Sequence, residues 1–177
     1  MDIHTAFYES PIGILEIHSD GENINGVLFT DTIKNGNRPV PAPLNQQIPP
    51  PLVSMCITQL TEYFDGKRQV FTLPLQQQGT PFQQNVWAAL LNIPFGKTSS
   101  YLSLSKNIDN VKAIRATGNA NGRNNISIIV PCHRVIGSNG KLVGYGGDLW
   151  RKKWLLQHEN KYANGVQILF KDLQQQT

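Results

Sequence analysis

Apolar and polar positions alternate first in "GILEIHSD" (residues 13–20) and then in the run from Ile24 to Asp31, and the "SDGEN" between them carries an Asp-Gly turn signal. That pattern predicts an antiparallel hairpin. Between Lys34 and Pro51 the chain is rich in Pro, Asn and Gln without any period, which reads as a long surface loop. The period then changes to that of a helix in "PLVSMCITQLTEYFDGK". There Leu52, Cys56, Leu60 and Phe64 recur every four residues and Gly66 supplies a stop. A second helix is predicted from Thr80, a cap, through Pro81 at its first position. Phe82, Val86, Trp87 and Leu90 form its apolar face, and Pro94 and Gly96 end it. The domain break is expected between Gln76 and Gly79.

Two short helices are expected in "TSSYLSLSKNIDNVKAIRATGNANGRNN". Thr98 to Ser100 offer caps for the first and Asp109 or Asn110 for the second, with a turn of a few residues between them, which is a helix-turn-helix pattern. In the second helix Val111 and Ile114 are expected to face inward, while Lys112 and Arg115 share a different face. Ala116, Gly118, Ala120 and Gly122 leave that helix poor in side chains, although each glycine costs roughly 1 kcal/mol inside a helix. Small residues permit close approach, either to a nucleic acid or to a neighbouring helix, and the pattern leaves both readings open.

Composition narrows the class. A chain of 177 residues that is 40% apolar can bury a real core in one or two domains. No apolar run approaches a membrane span, and the first residues lack the pattern of a secretory signal, so a soluble intracellular protein with no membrane partner is expected. Both cysteines, Cys56 and Cys132, are then expected as free thiols. The net charge of +4 is unevenly spread. Residues 1–95 hold four Lys/Arg against eight Asp/Glu, whereas residues 96–161 hold eleven against three. A basic C-terminal half suggests a polyanionic partner, with nucleic acid the first candidate and a solvated basic face the alternative.

The chemistry centres on "IIVPCHRVIG". Cys56 is spaced like a core residue and serves as an internal control. Cys132 instead follows Ile126, Ile128, Ile129 and Val130, after which Pro131 denies the backbone a donor and ends any strand. A side chain at a strand end can face a cleft, and His133 and Arg134 adjoin this one. An unperturbed thiol near pKa 8.5 is only a few per cent thiolate at neutral pH, so neighbouring positive charge or a base is needed. Consecutive residues of an extended segment point to opposite sides, so His133 would reach the sulfur through a bridging water. It would also need a carboxylate to orient its ring. Glu159, at the end of the helical "LWRKKWLLQHE", is the candidate, because a carboxylate in a helix's last turn is disfavoured by the dipole. A solvated surface glutamate is the alternative.

These residues carry a resemblance. "IIVPCHRVIG", with "GKLVGYGG" and "RKKWLLQHE" after it and "SSYLSL" and "IRATGNANGRNN" before it, resembles the O6-alkylguanine-DNA alkyltransferase family, also called methylated-DNA–protein-cysteine methyltransferases. The likeness runs from about Thr80 to Glu159 and is most specific around Pro131 to Val135. "YESPIG" and the hairpin are more loosely similar to the family's small α/β domain. The fold expected is an α/β N-terminal domain over residues 1–78, a small antiparallel sheet plus a helix. A mostly helical C-terminal domain with a helix-turn-helix follows over 79–161, then an extension over 162–177 whose "VQILF" has no assigned role.

The resemblance implies a single-turnover reaction, without a cofactor, in which an alkyl group passes from guanine O6 in duplex DNA to the sulfur of Cys132. It implies that His133 is the water-linked base and Glu159 its orienting acid. Arg115 would fill the gap left by the rotated base. Tyr101 would crowd the 3′ phosphate and donate a proton to guanine N3, and Asn124 would join the recognition helix to the active-site strand. Extruding the base costs a few kcal/mol in stacking and pairing. The recognition helix is expected in the minor groove through Lys112, Ala116, Gly118, Ala120, Gly122 and Arg123. Tyr145 would cover the extruded base, the carbonyls of Cys132 and Val135 would read the guanine amine, and the Gly146 amide would approach O6.

Departures from the family are Gly146 where some relatives have serine, Ser127 where some have proline, and Asn119 and Asn125 for the common alanine and proline. The smaller residues at 127 and 146 are expected to leave room for alkyl groups bulkier than methyl. No metal is expected, because His4 and His18, with no cysteine before Cys56, do not complete a tetrahedral set. A cytoplasmic monomer is expected, with cooperative binding along DNA left open. Three rivals remain from the residues. A helix-turn-helix regulator leaves "PCHRV" without a purpose, a cysteine hydrolase leaves the basic helix unexplained, and a silent lesion-binding relative lacks the cysteine that Cys132 supplies.

Overall fold

The computed structural model describes residues 3–32 and 49–165, which fall into two compact units. One takes the chain up to Gln78 together with Asn125–Ile129, and the other takes Gly79–Asn124 and the chain from Val130 onward. The expected loop from Lys34 lies outside the described residues except at its end, where Pro51 is already the first residue of a helix. The "VQILF" segment also lies outside them.

In the first unit β1 (His4–Ser10), β2 (Gly13–Ser19) and β3 (Ile24–Phe29) form an antiparallel sheet in that order. The expected hairpin is β2–β3. Its turn is wider than an Asp-Gly pair requires, because the ladder shifts at His18/Ser19 and Asp20 Oδ1 accepts from the amides of Glu22 (2.9 Å) and Asn23 (2.7 Å). Leu15 and Ile17 of β2 pair with Phe29 and Val27 of β3, and all four are buried. Helix α1 (Pro51–Phe64) packs on this sheet through Val53, Cys56, Leu60, Tyr63 and Phe64, with the Tyr8 and Phe64 rings 6.2 Å apart. Burying each such side chain stabilises the fold by about 1.5–3 kcal/mol.

The apolar run before Cys132 is not the strand its composition suggests. Ile126 makes a single parallel bridge with Val27, fixed by Val27 N donating to Asn125 O and Ser127 N to Val27 O, both 2.8 Å. Ile128 then takes a left-handed φ of 72°, which breaks the extended path. That conformation costs a β-branched residue about 1–2 kcal/mol. These main-chain bonds group Asn125–Ile129 with the first unit, although the segment falls within the span expected for the second domain.

The second unit begins with α2 (Pro81–Leu90). Thr80 Oγ1 accepts from Gln83 N while Gln83 Oε1 accepts from Thr80 N, a reciprocal cap that satisfies two otherwise unpaired donors. Val86, Trp87 and Leu90 face inward. Next come β4 (Ser99–Ser100), α3 (Tyr101–Asn107) capped by Ser100, and a 3-10 turn (Val111–Ala113) leading into α4 (Ile114–Gly122). Helices α3 and α4 form the expected pair, tied by a buried Ser105–Thr117 hydroxyl bond of 3.0 Å. Asn110 precedes the 3-10 turn without a side-chain cap bond, and Asp109 has a positive φ of 54°, so neither caps the second helix as expected. Beyond Cys132, β5 (Val135–Ile136) pairs in parallel with β4, and α5 (Leu149–Asn164) ends at Gly165 in a left-handed conformation.

Candidate active site

Cys132, His133 and Arg134 form a buried 3-10 turn, not an extended strand end. The turn changes which side chains can converge. Both His133 and Arg134 reach the carboxylate of Glu159, which an alternating segment would not allow. Arg134 donates from Nε (2.9 Å) and Nη2 (3.0 Å), His133 Nε2 lies 2.6 Å from Oε1, and the Gly96 amide adds a donor at 3.1 Å. Arg134 also donates to the carbonyl of Ile93. Glu159 is fully buried and lies inside α5, more than a turn before its end at Asn164. The last-turn dipole argument for it therefore fails, and its buried partners explain it instead.

Burial opposes ionisation of Glu159, but the charges and hydrogen bonds of His133 and Arg134 outweigh it and hold the carboxyl down at about 2. A carboxylate only accepts, so the proton on the His133–Glu159 bond sits on Nε2. Burial holds the pKa of His133 below its ordinary value against the pull of Glu159, so the ring is neutral at pH 7 and Nδ1 carries a lone pair. That Nδ1 is buried and has no protein hydrogen-bond partner. It is poised to take a proton.

The sulfur of Cys132 is buried and accepts from Asn124 Nδ2 at 3.1 Å, while the same amide donates to Val130 O at 2.8 Å. Burial raises its pKa, and Asn124, the charge of Lys152 and the amides of Cys132 and His133 pull it back. Cys56 has burial alone and is pushed up to about 12. Lys152, absent from the sequence reading, is buried in α5 and donates to Val143 O at 2.8 Å and Gly144 O at 3.4 Å. Burial lowers its pKa to about 8, with Cys132 acting in the opposite direction. Its sequence signal was its place seven residues before Glu159, two turns along one helix face.

Tyr101 opens α3, donates to Val143 O at 3.0 Å and lies against Gly118, where an added Cβ would sit 3.8 Å from the ring. Burial, and the charge Cys132 carries once it is a thiolate, push its pKa up to about 12, so it remains a phenol and a donor at neutral pH. Val135 is buried, and its amide donates to the Cys132 carbonyl. Tyr145 and Gly146 are half-buried on the loop before α5, and a Cβ at Gly146 would meet Gly122 O at 3.7 Å. Ser127 belongs to the first unit, bonded to Val27.

Helix α4 has a different orientation from the one its sequence suggested. Val111 and Ile114 are 50% and 40% exposed, while Thr117, Ala120 and Asn121 face inward. The inward face is fixed by the Ser105–Thr117 bond and by Trp87 Nε1 donating to Ala120 O at 2.9 Å. Ala120 is therefore small for packing, not for an outward surface. Lys112, Arg115, Ala116 and Arg123 are exposed, and Gly118 and Gly122 are half-buried. Among the described residues no three His, Cys, Asp or Glu side chains gather to hold a metal ion, and no helix is long and apolar enough to cross a membrane.

A buried thiol, a neutral imidazole with a free nitrogen and an ionised carboxylate stand beside a basic helix pair on a helix-turn-helix unit, an arrangement in which a cysteine can be activated as a nucleophile. The chain matches the family model for the ribonuclease-like domain of 6-O-methylguanine DNA methyltransferase over residues 3–77 and the model for its DNA binding domain over residues 81–161. It belongs to the 6-O-methylguanine DNA methyltransferase family. The methylated-DNA–protein-cysteine methyltransferase of Methanosarcina acetivorans is 43% identical over 157 residues, 89% of this chain and 98% of that one. The protein of the same name from Mycobacterium bovis is 42% identical over 168 residues, 95% of this chain and 99% of that one. The crystal structure of Mycobacterium tuberculosis O6-methylguanine methyltransferase aligns with a TM-score of 0.79 at 39% identity, covering 93% of this chain and 97% of that one. A Mycobacterium tuberculosis structure in complex with DNA aligns at 0.78 and 41% identity, covering 90% and 94%.

Proposed function

We propose that this chain is a methylated-DNA–protein-cysteine methyltransferase that repairs O6-alkylguanine by moving the alkyl group onto Cys132. The observation that carries the reading is the buried His133–Glu159 pair of 2.6 Å, which leaves His133 Nδ1 as a base in the same turn as the thiol. The thiol proton passes to Nδ1 through a water, the sulfur attacks the alkyl carbon, an S–C bond forms and the C–O6 bond breaks. Charge developing on the leaving guanine is met by the proton of Tyr101 at N3. In the net reaction the thiol hydrogen replaces the alkyl group on guanine, and no cofactor takes part. The thioether has no leaving group that this site can activate, so each molecule reacts once.

The target atom is unreachable inside a duplex, so the base must leave the stack. Exposed Lys112, Arg115 and Arg123 on the α4 side supply the charge that holds the backbone, and Arg115 fills the vacated position in the minor groove. The loop with Tyr145 and Gly146 covers the extruded base. Incubating the protein with a duplex containing labelled O6-methylguanine and mapping the label by mass spectrometry tests the reading. One label per molecule on Cys132, and none with Cys132→Ser, is expected. Turnover beyond one equivalent, or label elsewhere, refutes it.

A further inference from the structure

Asn121 is 1% exposed on the inward face of α4, yet the sequence reading and the proposed reaction give it no role. Its Nδ2 donates to the Cys132 carbonyl at 3.4 Å, and its amide acts to lower the pKa of the Tyr101 hydroxyl, which itself donates to Val143 O at 3.0 Å. Its Oδ1 is buried without a protein partner. A leucine of similar size would fill the same space without an unsatisfied acceptor, so the amide is costly as packing. Thr117, one turn earlier on the same face, is by contrast satisfied by Ser105. The ring of Tyr101 rests on Gly118, three residues before Asn121, which brings the phenol across the same face of the helix.

We propose that Asn121 is a positioning residue for alkyl transfer: its amide braces the Tyr101 oxygen against the Cys132 main chain and aims the phenolic proton at the extruded base. An amide has two donor hydrogens: one serves the Cys132 carbonyl, and the other is available to the phenolic oxygen, whose own proton goes to Val143 O in the resting site. A donor on that oxygen occupies a lone pair and leaves the phenol free only to donate. It also favours the phenolate, opposing the burial and the Cys132 charge that raise the Tyr101 pKa, and a more acidic phenol is a better proton donor to a base gaining negative charge. This role rests on the alkyl-transfer reading above.

The test uses the full chain with Asn121→Leu and the isosteric Asn121→Asp, which keeps the shape and loses the donor. Single-turnover transfer from an O6-methylguanine duplex is expected to slow about tenfold in each. Affinity for that duplex, measured in a Cys132→Ser background, is expected to stay within about twofold. In a Tyr101→Phe background either substitution is expected to add less than about twofold, because Asn121 acts through the phenol. Without DNA, titration of carbon-13-labelled tyrosine is expected to show the Tyr101 pKa rising in Asn121→Leu. Full additivity with Tyr101→Phe, an unchanged rate, or an unmoved Tyr101 titration overturns the proposal. Should Asn121→Leu fail to fold, Asn121→Asp carries the same tests. Label uptake by wild type judges the alkyl-transfer reading separately, since the tyrosine titration needs no reaction.

Discussion

Replacing Glu159 with glutamine keeps the shape of the side chain and removes its charge. In the native site the carboxylate receives two donors from Arg134, one from His133 and one from the Gly96 amide, all out of water. Glutamine offers one acceptor oxygen and turns its own NH2 toward a donor, leaving the Arg134 guanidinium buried without a counter-charge. Breaking a buried pair in this way costs about 3–5 kcal/mol. The titration of Glu159 leads to a similar figure. Its carboxyl is held at about 2 against an ordinary value of 4.5, a difference worth roughly 3 kcal/mol. The folded pKa is depressed, so that stability is fully present above the unfolded value and is lost as pH falls from about 4.5 toward 2. Urea denaturation of wild type and Glu159→Gln should therefore differ by about 3 kcal/mol or more at pH 7, and the gap should close as the pH is lowered through that window. Single-turnover repair by the folded variant should fall by about a hundredfold or more, since His133 loses the group that keeps its proton on Nε2. A variant within about 1 kcal/mol of wild type at pH 7, or a gap that does not change with pH, would refute this account.

Lys152→Met should make the opposite pH signature visible. The folded pKa of Lys152 is lowered to about 8, so its burial cost is full below that value and is relieved as pH rises toward 10.5. Wild type should gain up to about 3 kcal/mol on the variant between those values, read by urea denaturation, and parallel stability curves would contradict it. Gly146→Ser should fold normally, because the nearest contact of its added Cβ is Gly122 O at 3.7 Å. Repair of O6-methylguanine should persist while reaction with O6-benzylguanine slows, and equal rates for the bulky base would show that residue 146 does not set alkyl size. Ile114→Ser should change stability by no more than about 0.5 kcal/mol, since the side chain is 40% exposed. A loss above about 2 kcal/mol would restore the inward orientation expected from its sequence.

What the sequence revealed and what it concealed follow from how each element is held. Helices α1 and α2 were legible because their buried sets, Cys56, Leu60 and Phe64 in one and Val86, Trp87 and Leu90 in the other, are apolar at helical spacing. Strand β1 was not singled out, since only Ser10 of its seven residues is fully buried and its alternation is faint. In α4 the inward residues are Thr117, Ala120 and Asn121, which no hydrophobic pattern marks, while its most apolar residues point outward. The run Ile126 to Val130 looked like a strand because hydrophobicity cannot report the left-handed φ of Ile128. Cys132, His133 and Glu159 were recognised by motif, but the 3-10 turn that lets His133 and Arg134 share one carboxylate is a backbone fact that alternation arguments miss.

The buried ionisable side chains of the second unit make little sense as stabilisers. Arg134, Glu159, His133 and Lys152 occupy space that apolar side chains could fill at no electrostatic cost, and buried pairs seldom repay their desolvation. Their effect on the sulfur gives a reason to keep them. Burial alone would leave Cys132 as inert as Cys56, whereas the Asn124 amide, the Lys152 charge and the local amides pull the other way without overturning the thiol. The resting sulfur is thus protonated and poorly reactive toward oxidants, and under the alkyl-transfer reading a neutral His133 is the base that deprotonates it. A nucleophile that can be used only once should not be spent on chance electrophiles. Under the alkyl-transfer reading, deprotonation becomes worthwhile only when an extruded base places an alkyl carbon at the sulfur and the Tyr101 phenol at the leaving group.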